Sequence, residues 1–240
     1  GPNLANLQSL YLDSNGLTGS LPPQLFKGLK EARDVRLGDN ALMGPLPSSV
    51  SSMSGVERLD LSGNGLTGSL PSEELIDLRS LRELRLGDND FGGPLPSRLG
   101  DLGALEGLHV ENNVLTGSIP PAWGSSSPGM KKLRSLNLGG NRIDGTIPSE
   151  LANLDELRQL ILNDNSLMGD VPKRMGTMFN LEILRLENNR LEGEIPGQLS
   201  NLIRLEELTL HRNDLTGTMP NGVCSLREKN VLKALVADCA

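Results

Sequence analysis

The chain has 240 residues and a formal net charge of −7, with 37% hydrophobic but only 2% aromatic residues. The acidic charge disfavours nucleic acid as a partner, because phosphate would be repelled. Two histidines and two cysteines give a metal site few ligands, and no apolar run reaches the roughly 18 residues of a membrane span. We therefore expect no cofactor, no bound metal, no nucleic acid partner and no membrane contact by this chain.

An asparagine recurs along most of the chain at spacings of 24 or 25 residues, with one spacing of 28. The nine copies are Asn15, Asn40, Asn64, Asn89, Asn113, Asn141, Asn165, Asn189 and Asn213. The frame of the first copy reads Leu7-x-x-Leu10-x-Leu12-x-x-Asn15-x-Leu17-x-Gly19-x-Leu21-Pro22. A repeat of this length indicates a solenoid of stacked coils, each of which buries its leucines against its neighbours.

Each part of the frame predicts a local structure. The Leu-x-Leu alternation predicts a short strand with one face turned inward, and one strand per copy predicts a parallel sheet. The recurring asparagine is expected to bond backbone groups at the turn after the strand, which makes an asparagine ladder through the stack. Because a proline closes each copy, we expect the back of each coil to be extended rather than a long helix.

This frame resembles the plant-type leucine-rich repeat, with its ending x-Leu-x-Gly-x-Ile/Leu-Pro, over about residues 4–223. The resemblance implies an α/β leucine-rich repeat solenoid: a right-handed curved superhelix with a concave parallel β-sheet, nine repeats of about 24 residues and a C-terminal capping strand. We expect the repeats over residues 1–223 and the cap over residues 224–240. Similar proteins include receptor-like kinase ectodomains and polygalacturonase-inhibitor-type proteins, and the ending is also similar to algal repeat proteins. The resemblance implies an extracellular or cell-surface protein that is not an enzyme.

One insertion interrupts the regular spacing, between Asn113 and Asn141. The extra residues, around 122–129, are rich in Gly, Ser and Pro and predict a surface loop on the back or edge of the solenoid. They include Trp123, which is the only tryptophan of the chain and a secondary candidate for anchoring a partner or a second domain.

The end of the chain keeps the strand frame at Leu232 and Leu235 but has lost the asparagine and the closing proline. This pattern predicts a tenth strand that caps the sheet. Both cysteines, Cys224 and Cys239, lie at this end. A disulfide between them would close a loop of about 15 residues and stabilise the fold by roughly 3 kcal/mol in the chain-entropy model. Such a bond would indicate an oxidising compartment.

The repeat also places three residues of each coil on the outer face of the predicted sheet, about 4.8 Å from their equivalents in the next coil. In repeats 2–4 these columns alternate in charge, so that each charge is expected to meet an opposite charge one coil away. Arg36 and Arg85 are secondary candidates there for binding a ligand carboxylate.

In repeats 5–8, glycines and small side chains predict a flat floor with exposed apolar residues, and the charges are expected not to cancel. A flat floor with a small apolar anchor and polar edges suits an extended peptide or a protein loop. The candidate ligand-binding residues are His109, Asn137, Arg158, Ile161, Asn163, Ile183, Arg185 and Glu187.

Catalysis finds no support in the sequence. His109 and His211 are four coils apart, about 19 Å at the strand spacing, so they cannot share a metal or a nucleophile. The sequence therefore predicts a recognition module that binds a peptide or protein ligand, as in a receptor ectodomain, and that is monomeric alone. A secreted inhibitor of a cell-wall-degrading enzyme and a structural or adhesive extracellular protein are the alternatives. Ice binding is disfavoured, because residues of other types interrupt the threonines that would have to form an unbroken array.

Overall fold

The computed structural model describes residues 4–125, 129–228 and 232–236. These ranges form nineteen short strands, numbered in chain order: β1 (Ser9–Tyr11), β2 (Thr18–Ser20), β3 (Asp34–Arg36), β4 (Ala41–Pro45), β5 (Arg58–Asp60), β6 (Gly65–Ser69), β7 (Glu83–Arg85), β8 (Asp90–Pro94), β9 (Gly107–His109), β10 (Val114–Ser118), β11 (Ser135–Asn137), β12 (Arg142–Asp144), β13 (Gln159–Ile161), β14 (Met168–Asp170), β15 (Ile183–Arg185), β16 (Arg190–Glu194), β17 (Glu207–Thr209), β18 (Asp214–Thr216) and β19 (Ala234–Val236). The short α-helices in the same ranges are α1 (Pro23–Gly28), α2 (Ser72–Leu75), α3 (Ala122–Ser125) and α4 (Asn221–Glu228). The 3₁₀ helices there are Ser48–Ser52, Ser97–Asp101, Ser149–Asn153, Lys173–Thr177 and Gly197–Asn201.

The odd-numbered strands form one ten-stranded parallel sheet, in which each strand pairs with the strands of the coils before and after it. The register follows the repeat, so that Leu136 aligns with Leu108 on one side and with Leu160 on the other. The even-numbered strands pair in the same way, in a six-stranded sheet from β2 to β12 and a three-stranded sheet from β14 to β18. The predicted parallel sheet is confirmed.

The repeated leucines form a core that runs through the stack. Leu59, Leu84 and Leu108, which are equivalent in three consecutive coils, are completely buried. Burial of apolar surface stabilises a fold by roughly 25 cal/mol per Å². Since the leucines of one coil are covered by the neighbouring coils, this stabilisation comes from stacking and would be lost in an isolated repeat.

The predicted asparagine ladder is present. The Nδ2 amide of buried Asn113 donates to the carbonyl oxygens of Val110 and Glu111 in its own coil and of Leu86 in the preceding coil, at 3.0–3.1 Å. Its Oδ1 accepts the backbone N–H of Phe91 at 2.9 Å. One side chain therefore bonds four backbone groups inside the stack, and it shares the three carbonyl oxygens with other donors, such as the Asp88 N–H at Glu111.

The backs of the coils are short helical turns that begin after a proline, such as the 3₁₀ helix Ser97–Asp101 after Pro96. The expectation of an extended back is therefore wrong at these turns, whereas long helices are absent from the described ranges as expected, where the longest helix, α4, has eight residues. In the described ranges no helix combines the length and the apolar composition that a membrane span requires.

The prediction that Trp123 lies in a surface loop and anchors a partner or a second domain is wrong. Its side chain is completely buried, and its Nε1–H donates to the carbonyl oxygen of Pro96 at 3.0 Å. Helix α3 carries it into the stack, where a Cβ at Gly124 would lie 1.9 Å from the carbonyl oxygen of Glu150. Because only glycine fits this close approach, the start of the insertion packs as part of the core, and Trp123 presents no surface to a partner.

At the C-terminal end, β19 pairs in parallel with β17, with Ala234 opposite Glu207. The predicted tenth strand is therefore confirmed. Helix α4 runs across the expected boundary between repeats and cap at residue 224. Cys224 is half-buried on α4, whereas Cys239 lies outside the described residues, so the disulfide stays a prediction.

Candidate functional site

The outer face of the ten-stranded sheet carries columns of side chains that run from coil to coil. In the middle column Asn137 aligns with His109 on one side and with Ile161 on the other, and Ile161 aligns with Arg185. A second column contains Ile183, which aligns with Gln159. The columns have the members that the repeat predicts, because one repeat contributes one strand.

Strands β11, β13 and β15, together with the turns that follow β9, β11 and β13, surround an open pocket of about 160 Å³. The lining residues are Glu111, Asn112, Asn137, Gly139, Ile161, Asn163 and Arg185. Four of them were candidate residues from the sequence. Gly139 was expected only as part of the flat floor, and Glu111 and Asn112 were missed as ligand-binding candidates.

Glycines occupy the positions equivalent to Glu111 in both neighbouring coils, and this pattern was the sequence signal for Glu111 as a ligand-binding candidate. In the column that follows the middle column by two residues, Glu111 stands between Gly87 and Gly139. The Glu111 carboxylate lies over Gly87, where a Cβ would be 2.6 Å from its Oε1. A Cβ at Gly139 would be 2.8 Å from the Oδ1 of Asn163, so any side chain there would crowd the pocket.

The amides of the pocket are held by neighbours within the sheet and its turns. Asn137 Oδ1 accepts the backbone N–H of Gly139 at 3.1 Å, and Asn112 Nδ2 donates to the Asp88 carboxylate at 2.9 Å. The Asn163 Nδ2 donates to Asp164. These bonds orient the amides before any ligand arrives, which lowers the entropic cost of binding.

Arg185 donates from Nε and one terminal nitrogen to the two carboxylate oxygens of Glu207, at 2.6 and 3.1 Å. This pairing raises the pKa of the Arg185 guanidinium. Arg158 likewise pairs with Glu182 at 3.1 Å, and Glu187 accepts a hydrogen bond from the hydroxyl of Thr209. The expectation that charges in repeats 5–8 do not cancel is therefore wrong for both arginines.

Glu111 differs from these paired groups. It is half-buried, and its Oε2 is shielded from solvent without a hydrogen-bond partner. In the described part of the chain, none of the ion pairs within 4.0 Å includes its carboxylate. Burial raises the pKa of Glu111, although a hydrogen bond with its own backbone and the nearby His109 and Arg85 oppose this shift. The pocket is therefore lined by a carboxylate that has no salt bridge to any residue of the described ranges.

His109 lies beside the pocket rather than in it. Its Nε2 is 3.3 Å from the Glu83 carboxylate, which also accepts from the Arg85 Nε at 2.9 Å. The hydrogen bond from His109, together with that from Arg85, lowers the pKa of Glu83 to about 2. Ile161 lines the pocket but Ile183 does not, and both are half-buried rather than exposed as expected.

A second, larger groove of about 370 Å³ lies in repeats 2–5. Its lining residues are Arg33, Asp34, Arg36, Glu57, Arg58, Arg82, Glu83 and Glu106. Pairing between coils is confirmed for one row, in which Arg33 bonds Glu57 and Arg82 bonds Glu106, both at 3.1 Å.

The middle column behaves differently, because its arginines pair within their own strands. Arg36 bonds Asp34 at 2.8 Å, as Arg85 does Glu83. The guanidinium of Arg36 also lies 4.6 Å from the centroid of the Tyr11 ring. Asp60 lies one coil away from both arginines, as expected, but each arginine bonds the carboxylate on its own strand instead. Neither arginine is therefore left free for a ligand carboxylate.

Models of the leucine rich repeat match residues 5–66, 80–102, 132–154, 180–202 and 204–226. The chain belongs to the leucine-rich repeat family. No curated protein sequence matches it.

Solved structures similar to this leucine-rich repeat chain include plant receptors. A plant peptide hormone receptor, RGFR1, in complex with RGF2 matches at 31% identity and a TM-score of 0.91, over 98% of this chain and 36% of the receptor chain. The Arabidopsis receptor kinase HAESA, in complex with the peptide hormone IDA and the co-receptor SERK1, matches at 31% identity and 0.85, over 97% and 38%. A plant ice-binding protein matches at 26% identity and 0.72, over 96% and 83%. The chain thus spans well under half the length of the two receptor chains.

Proposed function

We propose that this chain is a non-catalytic recognition module that binds an extended peptide or a protein loop on its ten-stranded sheet. The ligand would cross strands β9 to β15, with one side chain in the pocket next to Gly139. The protein would act outside the cell or at its surface. The observation that carries the proposal is the pocket itself, to which four consecutive coils contribute residues of apolar, amide and charged character.

The size of the pocket favours a side chain of a larger ligand over a small molecule. Sites for small molecules are usually about 300–1,000 Å³, and this pocket has about 160 Å³. Its shape is open to the columns on either side, so a bound chain would continue along the sheet. Half-buried Ile161 supplies apolar contact in the middle, and the oriented amides of Asn137 and Asn163 supply polar contacts around it.

The similar structures support the same class of ligand. Those of RGFR1 and HAESA are complexes with peptide ligands, and each matches nearly all of this chain. The activity of the longer receptors is not transferred by this likeness, since the chain covers 36% and 38% of them. What the likeness supports is a solenoid of the kind that occurs in receptors of peptide hormones.

The proposal is tested by selecting binders from a displayed library of random peptides against the wild-type chain. Each selected peptide is then measured against Asn137→Trp, which would fill the pocket region, and against Thr116→Trp, which places the same side chain on exposed β10 of the six-stranded sheet. We expect loss of binding with Asn137→Trp alone, at unchanged thermal stability of both variants. Peptides that lose affinity only for Thr116→Trp, or a selection that yields no binder, would count against the proposal.

Ice binding is a second function to be considered because of the similar plant protein. The six-stranded sheet presents exposed threonines, but Thr67 aligns with Pro45 on one side and with Asp90 on the other. An ice-binding surface needs an unbroken row, so the sheet does not favour this function. Loss of ice-growth inhibition in Thr67→Lys, from a measurable wild-type value, would reverse this conclusion.

A further inference from the structure

We propose that the pocket on the ten-stranded sheet receives a cationic side chain of the ligand, preferably an arginine, and that Glu111 is the residue that binds it. This inference rests on the proposed function and names the chemistry of the ligand at that site. It differs from the expectation that arginines of the sheet bind an acidic ligand, because those arginines are already paired.

Glu111 lines the pocket without a salt-bridge partner among the described residues. A carboxylate that is partly removed from water without a counter-charge or a full set of hydrogen bonds is unfavourable. The neighbouring carboxylates Glu83 and Glu207 are each bonded to an arginine, whereas Glu111 has no such partner in the described residues. A ligand cation in the pocket would place a counter-charge beside the Glu111 carboxylate and would form a charge-assisted hydrogen bond with it.

Arg185 is the cation that lines the pocket, and its ion pair determines how strongly it repels a positively charged ligand. On its own it would repel a second cation, but Glu207 holds it in a bidentate pair at 2.6 and 3.1 Å. The pair is locally neutral, so the net charge of the lining comes from Glu111. The net charge of the whole chain, −7, adds a long-range negative electrostatic potential.

The hydrogen-bonding groups that line the pocket also favour a guanidinium. A guanidinium is planar and has only donors. The Nδ2 groups of Asn112 and Asn163 each donate to an acidic neighbour, Asp88 and Asp164 respectively, and the oxygens of these two amides are acceptors in the lining that includes Glu111. The missing side chain at Gly139 provides the space between them. A flat group with donors at its edge matches this arrangement better than a carboxylate would.

The inference is tested with a pair of small probes rather than an unknown ligand. N-acetyl-arginine-N-methylamide carries the cation, and N-acetyl-citrulline-N-methylamide has the same shape without the charge. Each is titrated into ¹⁵N- and methyl-labelled protein, and chemical shifts of the Gly139 amide and the Ile161 methyl groups report on the pocket. The variants are Glu111→Gln and, as a control with the same substitution on an exposed strand, Glu192→Gln.

We expect the arginine probe to shift both reporters with an affinity about tenfold above that of the citrulline probe, since one charge-assisted hydrogen bond is worth about that factor. Glu111→Gln should remove the difference and Glu192→Gln should keep it. Equal affinity of the two probes, no shift at these reporters, or an effect that survives in Glu111→Gln would overturn the inference. These outcomes are independent of the peptide selection, so selected peptides that bind without a basic residue would refute the inference and leave the proposed function standing.

Discussion

The guanidinium of Arg185 on β15 is held by both carboxylate oxygens of Glu207 on β17, at 2.6 and 3.1 Å. Glu207 does not line the pocket, yet it neutralises a cation that does. The electrostatic character of the pocket is therefore set by a residue of the adjacent column in the next coil.

Glu207→Gln should weaken binding of the arginine probe by about three- to tenfold, because Arg185 would keep its charge without compensation beside the pocket. Glu182→Gln is a suitable control, since it removes a carboxylate that pairs with Arg158 at 3.1 Å outside the pocket lining. The same chemical-shift titration measures both. An unchanged affinity in Glu207→Gln would show that Arg185 does not influence the occupant.

Glu111→Gln should make the protein more stable at neutral pH, raising Tm by about 1–3 °C. Burial raises the pKa of Glu111 in the folded state, so the folded state binds the proton more tightly than the unfolded state does. The cost of the charge is full above the raised pKa and disappears as pH falls below the unfolded value of about 4.3. Thermal melts of both proteins from pH 4 to pH 8 should thus diverge as pH rises. A variant that is less stable at pH 7 would mean that the Glu111 carboxylate has a stabilising partner.

Asn113→Ala should cost about 2–4 kcal/mol of unfolding free energy, because four hydrogen bonds are lost together and the buried Phe91 N–H loses its acceptor. Asn15→Ala is the matched control at the first position of the ladder, where the side chain is exposed and donates to the Asp13 carbonyl at 2.8 Å. We expect it to cost less than about 1 kcal/mol. Urea denaturation measures both variants. Equal costs would contradict the structural role of the buried ladder.

The burial of Trp123 predicts the emission of the chain's only tryptophan. Fluorescence should be blue-shifted relative to the unfolded protein and weakly quenched by iodide, and unfolding should remove both properties. Trp123→Ala should destabilise by about 3–5 kcal/mol, as for other large buried aromatics. Strong iodide quenching of the native protein would instead place the indole at the surface.

The fold was predictable because the repeat states it nine times. A strand of fixed length in a period of 24 or 25 residues leaves one register, so the columns that contain Asn137, Ile161 and Arg185 follow directly from the sequence. The ladder was predictable for the same reason: an asparagine at the same turn in every coil has the same backbone groups around it.

The partner of each charge was harder to predict. Asp34 is two residues before Arg36 on the same face, about 6.6 Å along the strand. Asp60 occupies the position of Arg36 in the next coil, about 4.8 Å away. The long arginine side chain reaches either one, and the structure pairs it with Asp34. Such choices depend on rotamers and on the hydrogen bonds of neighbours such as Tyr11, which aligns with Arg36 and whose hydroxyl donates to Asp34 at 3.0 Å.

Trp123 was mispredicted for a different reason. Gly, Ser and Pro around residues 122–129 are typical of a surface loop. The first four of these residues nevertheless form α3, which packs between the 3₁₀ helices Ser97–Asp101 and Ser149–Asn153. The available signal was the position of Trp123 soon after Pro120 and Pro121, where other coils bury an apolar residue such as Leu99 or Leu151.

The proposed function depends most on the placement of the ligand across strands β9 to β15 of the ten-stranded sheet. It is tested most directly by the dissociation constant of a selected peptide for the double variant Ile161→Glu, Ile183→Glu. The control is Met43→Glu, Met168→Glu, which adds the same charges at residues that are 56% and 44% exposed on the even-numbered strands. We predict that the first variant weakens binding at least tenfold, a loss of about 1.4 kcal/mol, with Tm nearly unchanged, and that the control binds like the wild type. Equal affinity of the first variant and the wild type would contradict the account.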